Sequence, residues 1–287
     1  LADGNLDVRI DASDTRGTDE MANLGRAFNN MAQSLEKKID EYDELARLQQ
    51  RFVSDVSHEL RTPLTTIRMA EEMIWDQRQS FDPVTNRSTE LLHEQVERFD
   101  SMLADLLEIS RHDAQSVDLV AESVDLRSLV ARVVQANSEL AQRLGVEVIV
   151  ESPHYRCSAE IDDRRIERVI RNLLVNAYEH AESKPVVVTL AANDSAVAVR
   201  VRDHGVGMSP ATVERVFDRF FRADPARART TGGTGLGLAI SLEDVALHGG
   251  TLRAWGELGA GSSFMMTLPR KVGVAIDAEP LELWGQE

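Results

Sequence analysis

In the first third of the chain, apolar residues recur at alternating steps of three and four, the spacing that places them on one face of a coiled-coil helix. The first members of this stripe are Met21, Leu24, Phe28, Met31 and Leu35. No proline interrupts the chain before Pro63, so the stripe predicts a long helix that begins near Asp19. We expect a kink near Pro63, because proline lacks the N–H that the helical turn requires, and a break at residues 79–83.

A second helix is predicted after this break, again with apolar positions at alternating steps. These positions are Leu92, Val96, Phe99, Leu103 and Leu106. Two helices of similar length with a short connection form an antiparallel hairpin. One hairpin leaves both stripes half covered, which favours a second copy and a dimeric four-helix bundle. The alternative is that each helix packs only on its own neighbour.

The second half of the chain alternates between helical and strand-like segments. We expect helices at residues 125–144, 161–182, 211–222 and 236–247. We expect strands at residues 146–150, 186–190, 197–201, 251–255 and 263–268. The predicted fold class is α+β, with the helical hairpin followed by an α/β sandwich whose helices lie on one face of a mixed sheet. The chain after Arg270 is acidic, and we expect this tail to be loosely attached.

Charge and cysteine content limit the classes of function. A formal net charge of −16 argues against non-specific nucleic-acid binding, which needs a basic surface. The single cysteine, Cys157, excludes an internal disulfide and favours a reducing compartment. No apolar run reaches the roughly 18 residues that span a bilayer, and no signal peptide is recognisable.

His58, in a polar run of the first helix, is the candidate nucleophile. Val56 and Leu60 occupy the apolar stripe, so His58 is expected on the outer side of the hairpin. An unperturbed imidazole has a pKa of about 6.5, so at pH 7 it is mostly neutral and can attack a phosphoryl group. Glu59 is the candidate carboxylate to fix the tautomer of the imidazole, although adjacent helix positions do not face one another and the contact requires suitable rotamers. Thr62, one turn on and on the same face as His58, is the candidate to position a water for hydrolysis. A zinc-protease motif is excluded, because His-Glu-x-x-His requires a second histidine where the chain has Thr62.

Three polar residues spaced by four, Asn172, Asn176 and His180, share one face of the helix predicted at 161–182. An asparagine carbonyl together with nucleotide phosphates supplies the oxygen ligands that Mg2+ prefers. The simpler alternative is an exposed polar face.

Two glycine-containing segments follow this helix. Asp203 comes directly after a strand and can accept a hydrogen bond from an adenine amino group, while Gly205 and Gly207 permit a positive φ and close approach of the backbone. The second segment opens a helix, so its N–H groups and the helix dipole suit phosphates. Its candidate binding residues are Gly233, Thr234, Gly235, Leu236 and Gly237. A Rossmann fingerprint is disfavoured, because no strand directly precedes this segment.

Arginines and phenylalanines lie between these two segments. The arginines are Arg219, Arg222, Arg227 and Arg229. Arg222 is the candidate for a γ-phosphate contact, and the others are expected to be solvated. Phe217 and Phe220 either dock the hairpin, anchor the segment to the sheet or simply pack in the core.

Taken together, these motifs resemble those of sensor histidine kinases of two-component systems, with the H, N, G1, F and G2 boxes in order over roughly residues 40–270. The resemblance implies an ATP-binding domain of the Bergerat type, autophosphorylation with ATP and Mg2+, and transfer to an aspartate of a response-regulator receiver domain. The segment from Asp19 resembles the end of a HAMP module. That likeness implies a membrane-anchored protein with this chain in its cytoplasmic portion. The run at 52–58 and the acidic tail resemble the actinobacterial MtrB group.

The resemblance assigns a role to each motif of the hairpin. His58 would be the phosphoacceptor, Glu59 its acid/base partner and Thr62 the residue linked to phosphatase activity.

The resemblance also implies a division into domains. These are a partial HAMP-like segment (1–40), a dimerisation and phosphotransfer hairpin (41–112), a linker (113–120), an ATP-binding domain (121–270) and an acidic tail (271–287).

In the ATP-binding half, the resemblance makes Asn176 the magnesium ligand and places Asn172 and His180 beside the phosphates. Asp203 would bind adenine, and the glycines of both segments would shape the pocket. One departure is Glu179, because many relatives carry a basic residue at this place. The departure removes a possible phosphate contact, and we expect it to weaken ATP binding or slow transfer.

Three alternatives stay open beside the autokinase. A phosphatase-biased sensor of the same family would use Thr62. A nucleotide-binding scaffold would transfer nothing and would not need His58, Asn176 and Asp203 together. An ATPase of the gyrase or chaperone type shares the pocket but would not need the hairpin.

Overall fold

The computed structural model describes residues 20–112, 119–223 and 234–284. Its first unit is a helical hairpin, in which helix α1 (Glu20–Trp75) and helix α2 (Pro83–His112) are joined through a short 3-10 turn, Arg78–Ser80. We expected a kink near Pro63. Helix α1 continues through Pro63 without a break in its helical assignment. Within these residues, none of the helices carries an apolar stretch sufficient to cross a bilayer.

Asp82 fixes the start of α2. Its Oδ1 accepts hydrogen bonds from the N–H groups of Val84, at 3.0 Å, and Thr85, at 3.2 Å. Pro83 takes the first helical position, where a missing N–H removes no helical bond. The break predicted from the sequence at residues 79–83 is confirmed.

The hairpin is held by a small apolar cluster of Leu64, Val96 and Leu103 and by a contact between the partly buried His93 and the buried Glu71. Nδ1 of His93 lies 2.8 Å from Oε1 of the buried Glu71. Other positions of the two apolar stripes stay exposed in the single chain, among them Ile67, Ile74, Leu92 and Phe99. One side of the hairpin is therefore apolar and uncovered by the hairpin itself.

The second unit, the α/β domain, contains seven strands and five helices within the described residues. The helices are α3 (Leu126–Ala136), α4 (Ser138–Arg143), α5 (Asp163–His180), α6 (Pro210–Arg215) and α7 (Gly237–Leu247). The strands are β1 (Glu122–Asp125), β2 (Val148–Glu151), β3 (Ser158–Ile161), β4 (Val186–Ala192), β5 (Ala196–Asp203), β6 (Thr251–Glu257) and β7 (Gly261–Pro269).

Five of these strands form a mixed sheet in the order β2-β4-β5-β7-β6. Only the β2–β4 pair in this sheet is parallel. Strands β1 and β3 form a separate antiparallel pair. The core lies between one face of the five-stranded sheet and helices α3 and α5. Its fully buried members include Leu129, Ile166, Leu173, Val199 and Met266. The predicted fold class, a helical hairpin followed by an α/β sandwich with a mixed sheet, is confirmed.

Several element boundaries differ from those predicted. The helix expected at 125–144 is divided at Asn137. Its start is capped by Asp125, whose side chain accepts from the Arg127 N–H. The helix expected at 161–182 begins at Asp163, because Ile161 is the last residue of β3. Strands β1 and β3 were not expected, since each is short and acquires its hydrogen bonds from the other.

The expectation of a loosely attached tail is wrong for the described part of the tail. The Asn193 amide nitrogen donates to the carbonyl oxygen of Ala278 at 2.7 Å, and Arg253 pairs with Glu279 at 2.8 Å. The acidic composition did not predict this packing. Some of the contacts are made by the main chain of the tail, which residue types do not reveal.

Candidate active site

Helix α5 presents a polar face toward the start of α7. The Asn172 amide nitrogen donates to the carbonyl oxygen of Gly237 at 3.0 Å and to the Ser241 hydroxyl at 3.1 Å. The side chains of Asn176 and His180, one and two turns further on, are partly exposed. The opposite side of α5 is buried in the core, which fixes the direction of this face. Asn172 therefore holds the glycine-initiated end of α7 against α5.

Asp203, at the end of β5, is nearly completely buried. Its Oδ1 accepts from the Gly205 N–H at 2.9 Å, and Ser262 also donates to the carboxylate. Burial raises the pKa of the Asp203 carboxyl above its usual range, and the hydrogen bonds from Gly205 and Ser262 oppose that rise. A buried carboxylate held by fixed donors is a rigid acceptor for a ligand amino group.

The two glycines after Asp203 are required by close backbone contacts. A Cβ at Gly205 would lie 1.7 Å from the carbonyl oxygen of His180, and a Cβ at Gly207 would lie 1.8 Å from that of Glu257. Gly207 also has a φ of +71°. The loop is thereby packed between the end of α5 and the β6–β7 hairpin.

The start of α7 is shaped by a turn whose described part begins at Thr234. The Thr234 hydroxyl accepts from the Leu236 N–H at 3.2 Å, and Gly235 has a φ of +73°. Leu236 is fully buried, and Gly237 is the first helical residue. The helix N-terminus therefore faces the polar side of α5, which is a suitable place for phosphates. Gly233, the first residue we assigned to this segment, lies outside the described residues.

Glu179 and Arg222 form the charged side of this region. Burial raises the pKa of Glu179 to about 7, and the nearby positive charge of Arg222 opposes the rise. Arg219 pairs with Glu243 at 2.7 Å, so it is not simply solvated as we expected. Arg227 and Arg229 lie outside the described residues.

The two phenylalanines have different surroundings. The Phe217 ring packs edge-on against Phe264, with 6.2 Å between the ring centroids, so it belongs to the core. Phe220 has a φ of +63°, is 61% exposed and donates its N–H to the carbonyl oxygen of Gly235. Core packing is therefore correct for Phe217, whereas Phe220 stays available at the surface.

The backbones of His58, Glu59 and Thr62 lie on α1, and the Glu59 and Thr62 side chains are exposed. The His58 side chain is outside the described part, so its expected outward position stays a prediction. The residues that the structure brings together are those of α5, the loop after β5 and the start of α7. The linker predicted at 113–120 is described only at its last two residues.

A buried charge network behind this site was not predicted from the sequence. Asp244 is completely buried and accepts from Arg165 at 2.9 Å and from Arg168 at 2.8 Å. Two arginines three apart on α5 were a possible signal, but the same spacing is common on solvated helix faces. His248 continues the network: its Nδ1 lies 2.7 Å from the Asp244 carbonyl oxygen, and its Nε2 accepts from the Asp162 N–H at 3.0 Å. This network fixes α7 against the start of α5.

The sequence was compared with models of known protein families. Three family models match the chain: the histidine kinase-, DNA gyrase B- and HSP90-like ATPase model at residues 161–272, the His Kinase A phospho-acceptor domain at 48–115 and the HAMP domain at 1–37. The chain belongs to the sensor histidine kinase family. The matched ranges follow the predicted order of domains, whose individual boundaries stay predictions.

Among curated histidine kinases, this chain is 52% identical over 99% of its length to the sensor histidine kinase MtrB of Mycolicibacterium paratuberculosis, of which it covers 50%. It is 50% identical over the same share to MtrB of Mycobacterium tuberculosis, of which it covers 49%. The predicted likeness to the MtrB group is confirmed. The chain spans about half the length of these relatives.

Among solved structures, this chain is similar to full-length ShkA in complex with AMPPNP. The match has a TM-score of 0.65 and 28% identity, and it covers 80% of this chain and 47% of that chain. The shared architecture therefore extends over both the hairpin and the α/β domain.

Proposed function

We propose that this chain transfers the γ-phosphoryl group of ATP to His58 and then to an aspartate of a response-regulator receiver domain. The observation that carries the proposal is the convergence of three elements in the α/β domain. The polar face of α5, the loop that holds Asp203 and the N-terminus of α7 come together, in a chain whose hairpin matches a phospho-acceptor domain.

The residues present fit a nucleotide with its divalent cation. Asp203 is the acceptor for the adenine amino group, and the N–H groups at the start of α7 face the phosphates. Asn172 uses its amide nitrogen within the protein, whereas the Asn176 side chain has no hydrogen bond to any other described residue. We therefore assign the magnesium-binding carbonyl oxygen to Asn176. When bound, Mg2+ supplies positive charge that neutralises the phosphate oxygens.

The hairpin supplies the acceptor. The His58 imidazole attacks the γ-phosphorus, the new P–N bond forms as the bond to the bridging oxygen breaks, and ADP leaves. Glu59, exposed beside His58, takes the imidazole proton or stabilises the imidazolium. Arg222 is the candidate to neutralise negative charge on the transferred phosphoryl group. Since the protein contributes little covalent chemistry, positioning of ATP and His58 provides most of the catalysis.

The partners follow from the same hairpin. Its exposed apolar positions, such as Ile67 and Phe99, fit a second copy of the chain and a four-helix dimer. The HAMP match at residues 1–37 supports a membrane-anchored protein, with this chain in the cytoplasmic portion. Signals from the membrane side would reach His58 through α1.

A phosphatase activity toward the same response regulator is the second candidate. Thr62 is exposed on α1, one turn from His58, where its hydroxyl can position a water near an aspartyl phosphate. Thr62→Ala tests this role: loss of dephosphorylation with autophosphorylation unchanged would support it.

The test of the main proposal is incubation of the chain with γ-labelled Mg-ATP, beside His58→Gln and Asn176→Ala. We expect label that is stable in alkali, labile in acid and absent from His58→Gln. Asn176→Ala should bind ADP in the absence of Mg2+ but should incorporate little label. Nucleotide binding without any label would favour the scaffold, and label retained by His58→Gln would mean that another residue is the acceptor.

A further inference from the structure

The C-terminal segment at residues 271–284, here called the strap, lies across the face of the sheet that is turned away from α5. Three polar side chains of this region hold the main chain of the strap. Asn193 donates to the Ala278 carbonyl oxygen at 2.7 Å. Arg200 and Ser263 donate to the carbonyl oxygens of Glu282 and Leu283, at 3.0 and 2.7 Å. The strap therefore crosses from the β4–β5 turn to β7.

The burial of β7 shows that this face is covered. Alternate residues of β7 point to opposite faces, and Phe264 and Met266 belong to the core beneath α5. Ser263, Met265 and Thr267 must then point to the outer face, yet each is fully buried. The strap supplies that cover with partly buried apolar residues. These are Ile276, Pro280, Leu281 and Leu283.

The far end of the strap is fastened to β6, the edge strand of the sheet. Arg253 of β6 pairs with Glu279 at 2.8 Å. The Trp284 ring packs on that of Trp255, with 5.6 Å between the centroids. An edge strand has hydrogen bonds on one side only, so contacts from the strap limit its movement.

The β6–β7 hairpin in turn contacts the loop that holds Asp203. The Gly259 N–H donates to the Val206 carbonyl oxygen at 2.9 Å. Ser262, the residue before the strap-binding Ser263, donates to the Asp203 carboxylate. Strap, β6–β7 hairpin and Asp203 loop thus form one continuous set of contacts.

We propose that the strap is a positioning element for the base of the nucleotide: by holding the β6–β7 hairpin, it keeps Asp203 and its loop in the binding conformation. This inference rests on the proposed function, since it assumes that Asp203 receives the base. The strap contacts described above all lie on the sheet and the β4–β5 turn, and none of them involves the described start of α7 or the helical hairpin, so the effect of the strap should be on nucleotide affinity and not on transfer.

The test compares Trp284→Ala with Trp284→Phe in the full chain, using calorimetric titration with ADP. We expect Trp284→Ala to weaken ADP binding by about fivefold to tenfold, a modest coupling between distant sites. Trp284→Phe keeps an aromatic contact with Trp255 and should restore affinity. The number of sites per chain should stay the same, whereas partial unfolding would lower it. Autophosphorylation at saturating ATP should keep its maximal rate.

A second variant, Ser263→Ala, removes the donor to the Leu283 carbonyl oxygen without changing Trp284. It should weaken ADP binding in the same direction. ADP affinity unchanged in both Trp284→Ala and Ser263→Ala would overturn the strap proposal and leave the proposed function intact. Failure of the unmodified chain to bind ADP would contradict the proposed function and the strap with it. A loss of maximal rate with unchanged ADP affinity would also contradict the strap.

Discussion

The amide nitrogen of Asn172 lies 3.0 Å from the carbonyl oxygen of Gly237, which joins the middle of α5 to the first residue of α7. A second hydrogen bond from the same nitrogen reaches Ser241, one turn along α7. The position of the α7 N-terminus, where phosphates are expected, is thereby set by a side chain of the neighbouring helix.

Asn172→Ala should therefore weaken nucleotide binding by misplacing α7. Loss of these hydrogen bonds should also lower the free energy of unfolding by about 1–3 kcal/mol, since partly buried partners lose their donor. ADP titration and urea unfolding measure the two effects. Asn176→Ala is the matched control, because it should leave unfolding unchanged and weaken ADP binding only when Mg2+ is present. Equal behaviour of the two variants would contradict the division of roles between these asparagines.

Asp244→Asn should be strongly destabilising. The completely buried Asp244 balances two guanidinium groups, those of Arg165 and Arg168, and removal of one partner of a buried ion pair typically costs about 3–5 kcal/mol. Glu243→Gln, at the adjacent residue, removes a more exposed pair with Arg219 and should cost about 0–1 kcal/mol. Urea unfolding of the two variants provides the comparison. A similar small loss for both would show that Asp244 does not hold α7 in place.

His248 should make the α/β domain less stable in mild acid. Burial lowers the pKa of His248 below its usual value of about 6.5, so the unfolded chain binds this proton at a higher pH than the folded chain does. The stability contributed by neutral His248 is complete above about pH 6.5 and is lost as the pH falls through the lowered pKa. Urea unfolding at several pH values should show a smaller loss in His248→Gln than in the unmodified chain. An identical pH dependence in both would exclude this histidine as the cause.

Glu179 should make ADP binding dependent on pH. Its pKa of about 7 means that the carboxyl is mainly neutral below that pH and mainly ionised above it. An ionised carboxylate near the phosphates repels them, so affinity should fall between pH 6 and pH 8. Glu179→Gln should keep its affinity over that range and should also be the more stable protein at pH 8, since the cost of burying the ionised group is removed. A parallel fall in affinity for the variant would place the titrating group elsewhere.

The sequence predicted those features that depend on nearby residues. The helix start predicted at residue 125, the break predicted at 79–83 and the gap predicted between the strands at 186–190 and 197–201 are each fixed by a side chain, Asp125, Asp82 or Asn193, that accepts hydrogen bonds from N–H groups within a few residues. The site glycines were recognisable because each stands beside Asp203 or at the start of a helix. In contrast, the pairing of β1 with β3 and the buried state of Asp244 arise from contacts between distant segments. A buried aspartate cannot be distinguished from a solvated one in the sequence alone. In the same way, the acidic composition of residues 271–284 did not distinguish the packed strap from a loose tail.

Locating the phosphoryl group after incubation with Mg-ATP decides whether His58 is the phosphoacceptor. Tandem mass spectrometry under alkaline conditions, with fragmentation that preserves P–N bonds, assigns the modified residue. Asp203→Asn, which should bind ATP poorly, serves as the control for labelling that does not depend on the pocket. We predict a phosphoryl group on His58 in the unmodified chain and its loss in Asp203→Asn. A phosphoryl group on a different residue, such as His93, with His58 unmodified would show that His58 is not the phosphoacceptor.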